Sequence, residues 1–328
     1  MKILFIYRNP QMGISIGKVF QTIEKEIAQY ENIDNLYLPC NNYSPISLYK
    51  NIKYVLKYLA QNKYDIIHIT GTEHYLLPLL KKQNVLITVH DLGFYTEAKK
   101  SIHSYIKYIL WIRTLIYAKY VTFISEKSQS EALKLIKLSH YKVIHNPIDI
   151  NFKETPKNFN HSFPRILHIG TKTNKNLINT INALKEFPCH LRIIGKLDNK
   201  FTNILNESGI KYSNAYNITN EELLNEYKQC DIVNFISTYE GFGMPIIEAQ
   251  AIGRIVVTSN LSPMKEIANG AAILVDPFNP TSIYNGYKEA IKFDMSIIKN
   301  GIKNVEKYNV KNIAAQYLNL YKLILQNR

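Results

Sequence analysis

Short β-branched runs alternate with longer amphipathic stretches from the first residue onward, the pattern of parallel strands joined by crossover helices. In the first half, strands are expected at 3–7, 35–38, 66–69, 85–89, 121–124 and 142–144, with helices filling the gaps. The rhythm breaks over 146–164, where three prolines and several asparagines show no periodicity, and residues 151–164 are the expected linker. A second alternation follows, with strands at 165–169, 191–194, 232–235, 255–257 and 273–275. The expected architecture is α/β, with doubly wound domains over 1–150 and 165–308 and a final segment, 309–328, whose helix is free to return to the first domain.

Length agrees with two domains, since 328 residues exceed the usual single-domain size. No apolar run reaches the ~18 residues of a membrane span, and Met1-Lys2-Ile3-Leu4-Phe5-Ile6-Tyr7 opens a buried-strand pattern and not a signal peptide. A cytoplasmic location is expected. Cys40, Cys189 and Cys230 are widely spaced, which fits reduced thiols and neither a disulfide frame nor a zinc site.

A net charge of +14 invites negatively charged partners. No compact Arg/Lys cluster with interleaved aromatics stands out, so nucleic acid is not expected among them. The stretch 47–61 sets Ile52, Val55, Leu56 and Leu59 on one helical face and Lys50, Lys53 and Lys57, beside Tyr54 and Tyr58, on another. That second face is either an ordinary solvated surface or a contact for an anionic membrane. Residues 102–120, with Tyr105, Tyr108, Trp111, Arg113 and Lys119, read equally as a core helix or a membrane contact.

The densest chemistry lies between Glu240 and Glu248, eight positions apart. Gly241, Phe242, Gly243, Met244 and Pro245 read there as a strand end, a glycine loop and a helix start. The glycines allow close backbone approach, and the first helical turn attracts a diphosphate. Glu248, about one turn in, can accept hydrogen bonds from two neighbouring ribose hydroxyls. A glycine loop before a helix is also common in α/β proteins without any ligand. The loop after the first strand carries Gly13 and Gly17 but no G-x-G-x-x-G, so the dinucleotide fingerprint of a nicotinamide dehydrogenase is missing. His90-Asp91 ends the strand 85–89, where His90 is a ligand contact or a satisfied structural histidine; Thr70 to His74 ends the strand 66–69 on the same edge and suggests a polar rim, with Asp91 and Glu73 as acid/base groups or helix caps. Gly170, Thr171, Lys172 and Lys175 occupy another strand-to-helix turn, where a lysine neutralises a departing diphosphate or is simply solvated.

Taken in order, these segments resemble the retaining glycosyltransferases of family 4, which have two Rossmann-like domains in the GT-B arrangement with the cleft between them. The resemblance spans nearly the whole chain. It rests on Gly13, Val89-His90-Asp91-Leu92, Phe123 to Ser128, Val143 to Asp149, Ile169-Gly170-Thr171 with Lys175-Asn176-Leu177, and the E-x7-E element from Glu240 to Glu248. It implies a hexosyltransferase that needs no cofactor beyond its donor substrate, a UDP- or GDP-linked sugar. The acceptor would be a saccharide, free or lipid-linked, in cell-surface polysaccharide synthesis, with the first domain on the acceptor side. By the same resemblance Glu248 holds the ribose, and Glu240 with the amides of Phe242, Gly243 and Met244 holds the sugar hydroxyls. Gly13 contacts the diphosphate, Lys175 stabilises its departing charge, His90 contacts the transferred sugar, and residues 214–216 approach the base. Many members carry an Arg directly after the glycine of the Gly170 turn; Thr171 stands there, which leaves the charge to Lys175 with Lys172 as a candidate helper. There is no D-x-D, so metal-bridged diphosphate binding is not expected. A non-catalytic nucleotide- or sugar-binding module is the alternative reading.

Overall fold

The computed structural model describes residues 1–13, 15–96 and 101–326. The chain forms two compact units, one of Met1–Pro147 with the helix Val310–Gln326, the other Ile148–Asn309.

The first unit is a six-stranded parallel sheet: β1 (Lys2–Tyr7), β2 (Asn32–Tyr37), β3 (Ile66–Ile69), β4 (Val85–Val89), β5 (Tyr120–Phe123) and β6 (Tyr141–Val143), in the order β2-β1-β3-β4-β5-β6. The inner strands β1, β3 and β4 are buried almost along their whole length, which is why they read as apolar runs. Along β1 the side chains alternate between two cores. Leu4 and Ile6 join Val55, Ile87 and Leu115, while Ile3, Phe5 and Tyr7 join Phe20, Tyr317 and Tyr321. The helix Val310–Gln326 packs beside the helix Ser15–Ile27 on that second face. A buried polar chain ties it down: His68 Nδ1 meets Tyr321 Oη at 2.7 Å and His68 Nε2 meets Thr88 Oγ1 at 2.8 Å. Burial holds the His68 imidazole well below its ordinary pKa, so it takes part as a neutral ring.

The second unit repeats the plan with β7 (Arg165–Ile169), β8 (His190–Ile194), β9 (Lys211–Ala215), β10 (Ile232–Phe235), β11 (Ile255–Ser259) and β12 (Ile273–Val275), ordered β12-β11-β10-β7-β8-β9. One face packs Ile166, Leu191, Ile232 and Val257 against Leu177, Ile181 and Tyr287 of two helices. The expectation of two doubly wound units holds, and β9, whose Lys-Tyr-Ser-Asn-Ala run lacks β-branched residues, is the strand the pattern did not reveal.

Three local expectations change. Residues 151–164 are irregular, but they are strapped to the second unit and are not a free linker. Lys157 pairs with Asp231, whose carboxylate also accepts the amides of Asn160 at 3.2 Å and Arg165 at 2.8 Å. In the helix Pro45–Gln61 the inner face runs through Asn51 and Val55, and Leu56 is exposed. Asn51 can face inward because both ends of its amide are matched, Oδ1 by the Cys40 amide at 3.1 Å and Nδ2 by Tyr75 Oη at 3.0 Å. The segment 102–120 is broken into a helix (Ile102–Lys107), a wide turn (Tyr108–Ile112) and a tight one (Arg113–Tyr117), with Trp111 and Ile112 buried. Among the described residues no helix is long and apolar enough to cross a membrane.

Candidate active site

In an open parallel sheet, ligands bind outside the carboxyl ends of the strands where the strand order reverses. That point lies between β1 and β3 in the first unit and between β7 and β10 in the second. The loops that leave those four strands carry most of the residues singled out above; His90 ends β4, the neighbour of β3, and residues 214–216 lie at the end of β9.

At the second switch point, the turn after β7 is built around Gly170, whose φ of +94° only glycine adopts easily. A Cβ there would lie 2.9 Å from Lys175 Cγ, so the missing side chain is what lets the lysine stem lie across the turn. Lys175 Nζ reaches Glu240 Oε1 at 2.6 Å, after β10, and sits 4.8 Å from the centre of the Phe235 ring. Asn174 ties the two loops: its Nδ2 donates to Tyr239 O at 2.9 Å and to Glu240 Oε1 at 3.3 Å, and its carbonyl accepts the Thr238 amide at 2.8 Å. Asn176, at φ +61°, ends the turn and donates to Pro277 O at 2.6 Å. Thr171, at the position the resemblance gives to an arginine, turns aside to donate to Lys196 O at 2.8 Å, and Lys172 is exposed.

Gly243 starts the helix Met244–Ile252 at φ +124°, with Pro245 in its first turn. Gly241 precedes it, half-buried, and Phe242 packs edge-on against Tyr308 at 5.7 Å. Half-buried Glu248 projects from the second turn, where Tyr227 Oη donates to its Oε2 at 2.5 Å. Burial and the neighbouring carboxylate drive the Tyr227 pKa well above its ordinary value, which keeps it a donor. Asn214 turns inward, donating to Ile193 O at 3.0 Å and Gly195 O at 2.8 Å, and Tyr216 beyond it is 55% exposed.

At the first switch point, Gly13 closes the loop after β1 at φ +128°, and Arg8 Nη2 donates to its carbonyl at 3.1 Å. Ile14, next in that loop, lies outside the described residues. His90, at the end of β4, is buried; its Nε2 donates to Thr70 O at 2.8 Å, which leaves Nδ1 as the acceptor of a neutral ring. Burial lowers its pKa to about 4 against the smaller upward pull of Thr70 and Asp91. Glu73, after β3, is buried beside Thr72 and Tyr43, and burial pushes its carboxyl up to about 7.

The structure therefore brings Gly170, Lys175, Glu240, Gly241, Phe242, Gly243, Met244 and Glu248 to one edge of the second unit, and Gly13 and His90 to one edge of the first. Sequence reasoning missed Arg8, Asn174 and Tyr227. Arg8 directly follows β1, a signal that was available; Asn174 and Tyr227 act through partners 66 and 21 residues away, which no local pattern displays. Among the described residues no His/Cys/Asp/Glu cluster could hold a metal ion.

Two doubly wound units of this strand order, one of them carrying the lysine–glutamate pair beside a glycine-capped helix, have the GT-B fold. The chain belongs to the group 1/family 4 glycosyltransferases: residues 23–152 match the Glycosyltransferase Family 4 model and residues 149–304 the Glycosyl transferases group 1 model. An uncharacterized glycosyltransferase of Methanocaldococcus jannaschii is 27% identical over 93% of this chain and 89% of its own. O-antigen chain mannosyltransferase B of Escherichia coli is 22% identical over 77% of this chain and 74% of its own. Among solved structures, sucrose-phosphate synthase of Thermosynechococcus elongatus aligns over 100% of both chains with a TM-score of 0.85 at 18% identity. Anabaena HepE, solved with UDP and glucose, aligns over 98% of this chain and 99% of its own with a TM-score of 0.77 at 17% identity.

Proposed function

We propose that this glycosyltransferase moves a hexose, with retention of anomeric configuration, from a UDP- or GDP-linked sugar to a saccharide acceptor, free or lipid-linked, in cell-surface polysaccharide assembly. The observation that carries the reading is the contact of Lys175 Nζ with Glu240 Oε1 at 2.6 Å beside the helix that bears Glu248. Glu248, oriented by Tyr227, takes the ribose hydroxyls; Glu240 takes hydroxyls of the sugar. Lys175 and the amino end of the helix Met244–Ile252 stabilise the negative charge of the departing diphosphate, so metal bridging is not required by this reading. The neutral His90 receives a sugar hydroxyl at Nδ1, and Gly13 gives the phosphates room beside the backbone. The acceptor hydroxyl attacks on the face the diphosphate leaves and passes its proton to a diphosphate oxygen, so no protein nucleophile is called for. The relative named as an O-antigen chain mannosyltransferase supports the substrate class.

Nucleotide diphosphate release from UDP-glucose, UDP-galactose and GDP-mannose tests this. One of them is expected to turn over, and Glu240→Ala and Lys175→Ala are each expected to slow release roughly 10²–10³-fold. Wild-type rates in both variants would sink the role assignment, and tight donor binding without release would make the chain a binding module.

The proposal extends to a location at the cytoplasmic membrane face, with Lys50, Lys53 and Lys57 of the helix Pro45–Gln61 on an anionic surface; that all three are exposed, as is Tyr54, supports it. Cosedimentation with phosphatidylglycerol vesicles is expected to drop at least tenfold when the three become Glu, and unchanged binding removes this helix as the contact.

A further inference from the structure

Two polar atoms of opposite sense lie buried near the first switch point with no hydrogen-bond partner among the described residues: Nε of Arg8, just after β1, and Oε2 of Glu73, just after β3. The rest of each side chain is committed. Arg8 Nη2 donates to Gly13 O at 3.1 Å, and Glu73 Oε1 accepts from Thr72 Oγ1 at 3.1 Å and Tyr43 Oη at 3.4 Å. The surrounding loop is fixed in turn by Trp111, which donates from Nε1 to Thr72 O at 2.7 Å and meets the Tyr43 ring edge-on at 5.2 Å.

Ile16 lies near both residues. A Cβ placed on Gly71 would lie 3.7 Å from Glu73 Oε2 and 3.3 Å from Ile16 Cγ2, and Ile16 lines a cavity of about 100 Å³ together with Arg8, Gly13 and Thr70. Arg8 also acts electrostatically on Glu73, drawing its pKa down against the larger effect of burial. A buried N–H without an acceptor and a buried carboxylate oxygen without a donor are both costly, and one hydroxyl, donor and acceptor together, answers both.

We propose that Arg8 and Glu73 form a subsite for one hydroxyl of the saccharide acceptor, with Arg8 Nε–H donating to the hydroxyl oxygen and Glu73 Oε2 accepting its hydrogen. Buried Gly71 packs beside this subsite, where a side chain would crowd Ile16 and reach the carboxylate. The assignment rests on the glycosyl-transfer reading. Glu73 selects and positions the acceptor, and the bond-making hydroxyl is a different one. A site built to hydrogen-bond a hydroxyl rejects an analogue that lacks it far more strongly than an apolar pocket rejects a missing methylene.

The test uses the full chain with whichever of UDP-glucose, UDP-galactose or GDP-mannose it consumes. Methyl α-D-glucopyranoside, methyl α-D-mannopyranoside and their monodeoxy derivatives serve as acceptor probes. In the wild type, one parent glycoside is expected to accelerate nucleotide release, and one of its monodeoxy derivatives to act at least tenfold more weakly in kcat/KM. In Glu73→Gln the glycoside KM is expected to rise at least tenfold relative to the donor KM, and the preference over that derivative to shrink by a similar factor. Glu73→Asp, which keeps the charge, should recover part of the preference. An unchanged ratio of glycoside KM to donor KM in Glu73→Gln overturns the subsite and leaves the two atoms to a structural water. Donor-only release that no glycoside accelerates also overturns it, while the transfer reading stands on that release. No release from any of the three donors in the wild type defeats the transfer reading itself, and the subsite falls with it.

Discussion

The two switch points handle charge in opposite ways. In the first unit, burial discharges the titratable groups: His74 and His90 are held to about 4, and Glu73 is raised to about 7. In the second, opposite charges are set in direct contact, Lys175 on Glu240, with side chains 21% and 15% exposed. Neutral imidazoles, hydroxyls and a partly protonated carboxyl suit the hydroxyls of a sugar, whereas a lysine at a glycine turn suits a phosphate. Similar sheets thus present two different chemistries because their loops bury their polar groups to different depths.

The sharpest way to break this contrast is at Gly170. In Gly170→Ala the new Cβ meets Lys175 Cγ at 2.9 Å, and φ of +94° is strained for alanine. Displacing the lysine is expected to slow nucleotide release roughly 10²–10³-fold with little change in donor KM. A rate near wild type would show that the turn does not position Lys175.

A smaller effect concerns Glu73. Its folded pKa of about 7 lies above the ordinary 4.5, so the fold favours the protonated form. That contribution is complete below about pH 4.5 and is lost as pH rises through about 7. Glu73→Gln, neutral throughout, is therefore expected to gain on the wild type by up to about 3 kcal/mol between pH 4.5 and pH 8. The groups acting on Glu73, Arg8, Thr72 and Tyr43, are common to both proteins, as are His74 and His90, whose lowered pKa values favour the fold above pH 6.5 and work against it as pH falls through about 4. Thermal melts of both proteins at pH 5 and pH 8 decide it; an equal gap in Tm at the two values refutes the buried charge.

Much of the fold was legible because strands covered on both faces are dominated by apolar residues, as β3, β4, β10 and β11, buried along their whole length, are. β9 escaped because Lys211 to Ala215 are only partly covered, or exposed, and carry no such demand. Helix phase was less legible. Asn51 lies inside and Leu56 outside, since a fully matched amide can occupy a core-facing position and periodicity counts only apolar residues. At the site, Gly170, Lys175, Glu240 and Glu248 were visible as loop residues next to strand ends. What holds them was not: Asn174 and Tyr227 owe their roles to distant partners that only folding brings near.

The helix Val310–Gln326 gives the first unit a discontinuous chain. Ile313, Tyr317 and Tyr321 belong to the same core as Ile3, Phe5 and Phe20. During synthesis, residues 148–309 can condense as soon as they emerge, but the sheet begun with Lys2 stays open on one face until residue 326 has been made. The unit started first is finished after the other, and its apolar face must be kept from other chains while residues 148–309 are made.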